Sequence, residues 1–214
     1  MAIDLVRRCA VLVAAAVTAT GALILTPASP AQAEGCPDIE VVFARGTNED
    51  PGLGRIGNAF VNSLRSKVGG RSVGSYAVNY PASFDFLAAA GANDASAHIQ
   101  NMVNTCPNTR LVLGGYSQGA AVIDVIAAVP VPGIGFNAPL PPNTPEHVAA
   151  LAVFGNPSTK VGLPLTASPV WGGRSIDLCN FGDPICGPGE DVGAHRAYDG
   201  GPADQAAGFA AGLL

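Results

Sequence analysis

The sequence predicts an α/β fold, a three-layer α/β/α sandwich around a central, mostly parallel five-stranded sheet. Three observations predict it. Short apolar runs alternate with segments of helical periodicity, the pattern of parallel strands joined by crossover helices. One run, Arg110–Tyr116, leads into Gly115-Tyr116-Ser117-Gln118-Gly119, a G-x-S-x-G turn between a strand and a helix. No internal repeat or linker divides the chain, and 214 residues suit one domain.

The N-terminal stretch stands apart from that domain. Arg7-Arg8 precede an apolar run from Cys9 to Leu25, followed by Pro27, Pro30 and Ala31-Gln32-Ala33. A basic start, an apolar middle and an A-x-A site make the pattern of a secretory signal peptide, and the run is slightly short for a membrane span. Residues 1–33 are expected to be cleaved after Ala33, leaving 34–214 as a single domain. Arg7-Arg8 leaves both the general and the twin-arginine export routes open. A secreted protein is expected, with retention at the cell envelope left open.

The elements follow in order. Residues Ile39–Ala44 read as a buried strand that ends in the loop Arg45-Gly46-Thr47-Asn48. Ile56, Phe60, Val61, Leu64 and Val68 have helical spacing, and Gly69-Gly70 stops that helix. A second strand is expected over 72–79. Asn93 or Asp94 is placed to cap a helix running to about Thr105. Strand three is 110–116, and the helix after Ser117 runs to about Val129. Residues 130–145 are proline-rich and read as a loop. Strand four spans 147–154, 155–173 is irregular, a short strand five spans 175–178, and a terminal helix covers 202–214. Right-handed crossovers would bring the loops after Ala44, Tyr116 and Leu178 to one sheet edge, where active groups gather in such folds.

The chain is 48% hydrophobic and 13% charged, with a net charge of −5. Loss of Asp4, Arg7 and Arg8 with the leader would make it slightly more acidic. Such a surface has no basic patch for nucleic acid, so no nucleic-acid partner is expected. A monomer is expected, without stable membrane insertion once the leader is removed. Cys9 leaves with the leader, so Cys36, Cys106, Cys179 and Cys186 remain. An even count in an exported chain points to disulfides. Of the three possible pairings, the short separation of Cys179 and Cys186 favours joining them, which leaves Cys36 with Cys106. With no C-x-x-C and the histidines elsewhere, no metal site is expected.

Glycines on either side of Ser117 allow a turn too sharp for larger residues. A serine there needs a base, because its free hydroxyl stays protonated at neutral pH. Of the three histidines, His98 falls inside a helix and His147 at the start of strand four, at the wrong end of the sheet. Both suit structural roles. His195 lies in a loop after strand five, within reach of the serine edge. An acid must hold the imidazole, and the order serine, acid, histidine is the one this type of turn uses. Asp124, Glu146, Asp177, Asp183, Glu190 and Asp191 lie in that interval. Asp183 sits inside the Cys179–Cys186 loop, whose closure would restrict its position, and it is the first choice; Asp191 is the reserve. The Gln118 backbone N–H and Thr47 are the expected donors to an oxyanion.

Together these residues carry a resemblance. G-G-Y-S-Q-G (Gly114–Gly119), F-A-R-G-T (Phe43–Thr47) and C-x-x-x-D-x-x-C (Cys179–Cys186) followed by His195 resemble the cutinase family. A-V-N-Y-P-A (Ala77–Ala82) and C-P-N-T-R (Cys106–Arg110) are similar to its actinobacterial branch. The resemblance covers about 36–214 and implies an α/β-hydrolase-like fold of the cutinase type. It implies a secreted serine esterase, with Ser117 as nucleophile, His195 as base and Asp183 as acid. Thr47 and Gln118 would form the oxyanion hole, and Cys36–Cys106 and Cys179–Cys186 the bridges. No cofactor is implied. The implied substrates are short- to medium-chain esters, extending to cutin or lipid esters. A polysaccharide deacetylase of the acetylxylan type is one alternative, and an exported binding protein with a dormant triad another. Phe136, Leu140, Leu163, Leu165 and Trp171 either line an acyl groove or pack as ordinary loop side chains.

Overall fold

Buried parallel strands are covered on both faces, so they read as continuous apolar runs rather than alternating ones. Strand β1 (Ile39–Ala44) is such a strand, with every residue buried. It is followed by α1 (Gly54–Lys67), β2 (Val73–Ala77), α2 (Ala88–Thr105), β3 (Arg110–Tyr116) and α3 (Gln118–Ala127). Then come β4 (Val148–Phe154), α4 (Pro157–Lys160), β5 (Ser175–Leu178), α5 (Val192–Arg196) and α6 (Gly201–Ala211). This computed structural model describes residues 35–85, 88–127 and 135–214. The expected leader, 1–33, and part of the proline-rich loop lie outside the described residues.

The five strands form one parallel sheet in the order β2-β1-β3-β4-β5. The chain steps from β1 to β2 on one side, then returns to lay β3 on the other. That reversal opens a crevice beyond the strand ends, the usual ligand position in open α/β sheets. Register decides what meets there. Ala44 pairs with Gly115, Tyr116 with Phe154, and Phe154 with Leu178. The loops after β1, β3, β4 and β5 therefore emerge side by side.

Two hydrophobic layers hold the sheet. On one face Phe43 and Phe154 pack with Phe60 of α1, with ring centroids 5.9–6.3 Å apart. Small residues Ala203, Ala206, Ala207 and Ala210 bring α6 close to the same layer. On the other face Leu113, Leu151 and Val153 meet Ile99 of α2 and Val122 and Ile123 of α3.

Several boundaries differ from the sequence expectation. Helix α2 begins at Ala88, five residues before the expected caps. Asn93 and Asp94 bond outside the helix instead. Asn93 donates to the Gly135 carbonyl and accepts from the Asn137 N–H, while Asp94 accepts from the Tyr76 hydroxyl and the Asn79 N–H. Alanines 88–90, strong helix formers, extend the helix upstream. The stretch after β4 contains α4, started by the Asn156 side chain accepting from the Ser158 N–H and by Pro157 at its first position. His195 sits in a short helix, α5, not in a loop.

Candidate active site

Ser117 is the hinge between β3 and α3. Its φ is +55°, a left-handed conformation that costs a non-glycine residue roughly 1–2 kcal/mol. The neighbouring glycines are required by close approach. A Cβ on Gly115 would lie 2.2 Å from the Gly119 carbonyl oxygen, and one on Gly119 would lie 1.9 Å from that of Ala44. Ser117 anchors the turn by donating its N–H to the Phe154 carbonyl at 2.9 Å. Two further non-glycine residues with positive φ, Asn48 and Ala82, meet nearby through an Asn48 N–H to Ala82 carbonyl bond of 2.7 Å. Strained backbone of this kind persists only where surrounding structure enforces it.

The histidine comes from the far side of the crevice. His195 Nε2 lies 2.9 Å from Ser117 Oγ, and its Nδ1 lies 2.8 Å from Asp183 Oδ2. Only 12% of the His195 side chain is exposed, and none of Asp183. Asp191, the reserve acid, does not face the imidazole. It caps α5 by accepting from the Gly193 N–H at 2.7 Å, so it orients the helix that carries His195. Tyr116 adds a second hold, donating its hydroxyl to the His195 carbonyl at 2.8 Å. Gly155 (φ +57°) makes room for the ring, since a Cβ there would stand 2.8 Å from His195 Cε1.

Asp183 is buried yet charged. Burial alone would raise its pKa, but donors outweigh it: Tyr198 first, then His195 and the Ile185 N–H hold the carboxyl below its ordinary range. One oxygen, Oδ2, accepts from the Tyr198 hydroxyl at 2.6 Å as well as facing His195. The other, Oδ1, accepts from the N–H groups of Ile185 and Cys186. The Cys179–Cys186 disulfide closes the loop that presents those amides. Cys36 is bonded to Cys106 at the opposite edge of the sheet.

Gln118 opens α3, so its N–H is among the first-turn donors that no intrahelical carbonyl can satisfy. The helix dipole reinforces its pull on negative charge. Thr47 Oγ1 donates to Gln118 Oε1 at 3.2 Å, and Gln118 Nε2 donates to the Ser83 carbonyl at 2.9 Å. The side chains of Thr47 and Gln118, the two residues expected to serve an oxyanion, thus meet across the β1–β3 crevice. Buried Arg45 fixes the same region, donating to the carbonyls of Glu49 and Tyr80.

The remaining candidates have other partners. His98 pairs with buried Glu40 and stacks on Tyr76. His147 Nδ1 faces the Pro107 carbonyl at 3.2 Å. Asp124 and Asp177 both accept from Asn156 Nδ2. Of the five loop side chains considered for an acyl groove, Phe136, Leu140, Leu165 and Trp171 are buried in the core, while Leu163 is exposed. Leu140 and Trp171 nevertheless line a cleft of about 230 Å³, and Leu163 and Leu165 one of about 220 Å³, and both clefts flank Ala127. Ala127 lies ten residues along α3 from Ser117, about 15 Å by helix rise.

Sequence reasoning did not single out Tyr116, Gly155, Asn180 or Tyr198. The available signals were the aromatic inside the G-x-S-x-G turn and the tyrosine three residues after His195.

The family described as Cutinase matches residues 35–214. Phospholipase Culp4 of Mycobacterium tuberculosis is 59% identical over 211 residues, spanning 97% of this chain and 92% of the relative. Probable carboxylesterase Culp2 of Mycobacterium bovis is 49% identical over 231 residues, 98% of each chain. Among solved structures, a Trichoderma reesei cutinase in complex with a phosphonate inhibitor is 32% identical. It superposes with a TM-score of 0.67 over 85% of this chain and 78% of that one. The catalytic core domain of an acetyl xylan esterase from Trichoderma reesei is 29% identical, with a TM-score of 0.71 over 84% of this chain and 100% of that one.

Proposed function

The chain belongs to the cutinase family, and from that membership and the site geometry we propose that Ser117, His195 and Asp183 carry out its serine ester hydrolysis. The observation that carries the assignment is the continuous run from Ser117 Oγ through both ring nitrogens of His195 to a buried carboxylate, at 2.9 and 2.8 Å.

His195 Nε2 takes the Ser117 proton as Oγ attacks the ester carbonyl carbon. The carbonyl oxygen becomes an oxyanion, held by the Gln118 N–H and by Thr47. Asp183 keeps the Nδ1 proton directed at itself and stabilises the imidazolium, without becoming protonated. The imidazolium then gives its proton to the departing alcohol, leaving an acyl ester on Ser117. Water, deprotonated by the same nitrogen, attacks that ester and releases the carboxylic acid. Every step uses protein groups and water.

Esters with an apolar acyl or alcohol part suit the rim of this site. Phe84 directly follows Ser83, the partner of the Gln118 side chain, and is 83% exposed. Phe181 lies inside the Cys179–Cys186 loop, fully exposed, and Val192 opens the His195 helix, also exposed. Short- to medium-chain esters, extending to lipid esters, are the substrates we assign. A second reading, polysaccharide deacetylation, is favoured by the likeness to acetyl xylan esterase. We further read 34–214 as one secreted, monomeric domain behind a cleaved leader. The two disulfides fit an oxidising compartment, and no helix among the described residues is long and apolar enough to cross a membrane.

Rates across p-nitrophenyl acetate to palmitate test the assignment. Activity should extend to butyrate and longer chains and should be lost in Ser117→Ala. A collapse beyond acetyl would favour deacetylation, and wild-type rates in Ser117→Ala would sink the mechanism.

A further inference from the structure

Among the described residues Tyr198 is the largest fully buried side chain, and its hydroxyl is spent on the acid of the site. The proton's direction follows from its neighbours. The Asn180 N–H donates to the Tyr198 oxygen at 2.9 Å, so that oxygen is already an acceptor. Two acceptors remain, the Cys186 disulfide sulfur at 3.5 Å and Asp183 Oδ2 at 2.6 Å, and the phenolic proton is directed at the nearer, charged carboxylate oxygen. Burial and this bond both push the Tyr198 pKa well up, which keeps the phenol a donor at every working pH.

Oδ2 is the same oxygen that faces His195 Nδ1. Two donors meet that oxygen, and the Ile185 and Cys186 amides meet the other, so both ends of the carboxylate are held. Asn180 closes the circuit. Its side-chain amide donates to the carbonyls of Ala194 and Ala197, on either side of the Ala194-His195-Arg196-Ala197 turn. Its backbone N–H meanwhile holds the phenol. The His195 backbone and the carboxylate that aims its ring are therefore referenced to one residue through Tyr198.

We infer that Tyr198 is a positioning residue of the reaction, its hydroxyl holding Asp183 Oδ2 where His195 Nδ1 must find it. The inference rests on the assignment of Ser117, His195 and Asp183 above. It acts on the chemical step and not on substrate binding, because Tyr198 is sealed beneath the site.

The test is Tyr198→Phe, alone and in an Asp183→Ala background, assayed on p-nitrophenyl butyrate with thermal unfolding alongside. A hydrogen bond to a charged group carries about 1.5–3 kcal/mol, so kcat should fall roughly 10- to 100-fold with KM within about twofold. In the Asp183→Ala background the same change should cost nothing further, since a positioning group has nothing left to position. An unchanged kcat in Tyr198→Phe, or an equal loss in both backgrounds, overturns the inference. If Tyr198→Phe does not fold, low-temperature proton NMR of the unaltered protein decides instead. A Tyr198 hydroxyl proton with a nuclear Overhauser contact to the His195 Nδ1 proton supports it, and the lack of that contact overturns it. Ser117→Ala separates the two levels. An active Ser117→Ala removes the site assignment itself, whereas an inactive one beside a fully active Tyr198→Phe removes only the role of Tyr198.

Discussion

Asp124 and Asp183 carry the same carboxyl in opposite surroundings. Asp183 is met by four donors, and its pKa is held low despite burial. Its contribution to stability is present above the ordinary carboxylate range and is lost as pH falls through its lowered value. Asp124 is pushed up to about 6, chiefly by burial and then by the nearby Asp177 carboxylate, which the bonds from Ser158 and Asn156 offset only in part. The sign is reversed. The folded chain keeps this proton where the unfolded chain has lost it, so stability from Asp124 is greatest below about pH 4 and declines until about pH 6. Asp124→Asn, which keeps the acceptor for Asn156, should remove roughly 2–3 kcal/mol of that decline. Urea unfolding at pH 4.5 and pH 8 measures it, and an equal stability difference between variant and parent at both pH values contradicts it. At this scale Ser117, Asp183 and His195 were legible because motif, chain order and the cysteine loop name them. Tyr198 and Gly155 were not, since their effect depends on which strand end lies beside α5.

The two disulfides show why element context matters more than bond count. Cys179–Cys186 closes a short loop whose amides grip Asp183, whereas Cys36–Cys106 joins the chain before β1 to the end of α2, at the far edge of the sheet. The longer loop removes more chain entropy, about 4 kcal/mol against roughly 2–3 for the shorter. Removing each by paired Cys→Ser changes should therefore split two properties. Cys36→Ser with Cys106→Ser should lower the unfolding midpoint more and leave kcat near the parent value. Cys179→Ser with Cys186→Ser should lower kcat at least tenfold while costing less stability, an order-of-magnitude estimate for a loosened charged hydrogen bond. Equal effects on kcat from both pairs would refute the separation. The strands were legible to within a few residues because parallel, doubly covered strands are unbroken apolar runs. The start of α2 lies upstream of the local cap signals because Asn93 and Asp94 resemble caps in sequence, yet their side chains are claimed by Tyr76 of β2, by Asn79 just after it and by the 135–137 segment. Helix α5 is five residues long, too short to show periodicity, and only the Asp191 cap signals it.

Across the whole molecule, one topological event assembles the site. The reversal of strand order at β1 and β3 sets Thr47 beside Gln118, and the outward steps to β4 and β5 carry Gly155 and then Asp183 towards the serine. Two packed hydrophobic layers hold that edge rigid enough to keep Ser117 in its left-handed turn. The fold class was legible from the alternation of elements alone. The packing of the apolar loops was not, because burial of Phe136, Leu140, Leu165 and Trp171 in the core depends on contacts between segments distant in sequence, such as the Trp171 indole N–H to the Ala127 carbonyl. The central claim is that Ser117 Oγ bears the acyl group during turnover. Reaction with a p-nitrophenyl alkylphosphonate, followed by proteolysis and mass spectrometry, tests it most directly. One phosphonyl adduct per chain on the Ser117 peptide, absent in His195→Ala at the same exposure, is the result expected. An adduct on any other residue, or full inhibition without modification of Ser117, would contradict it.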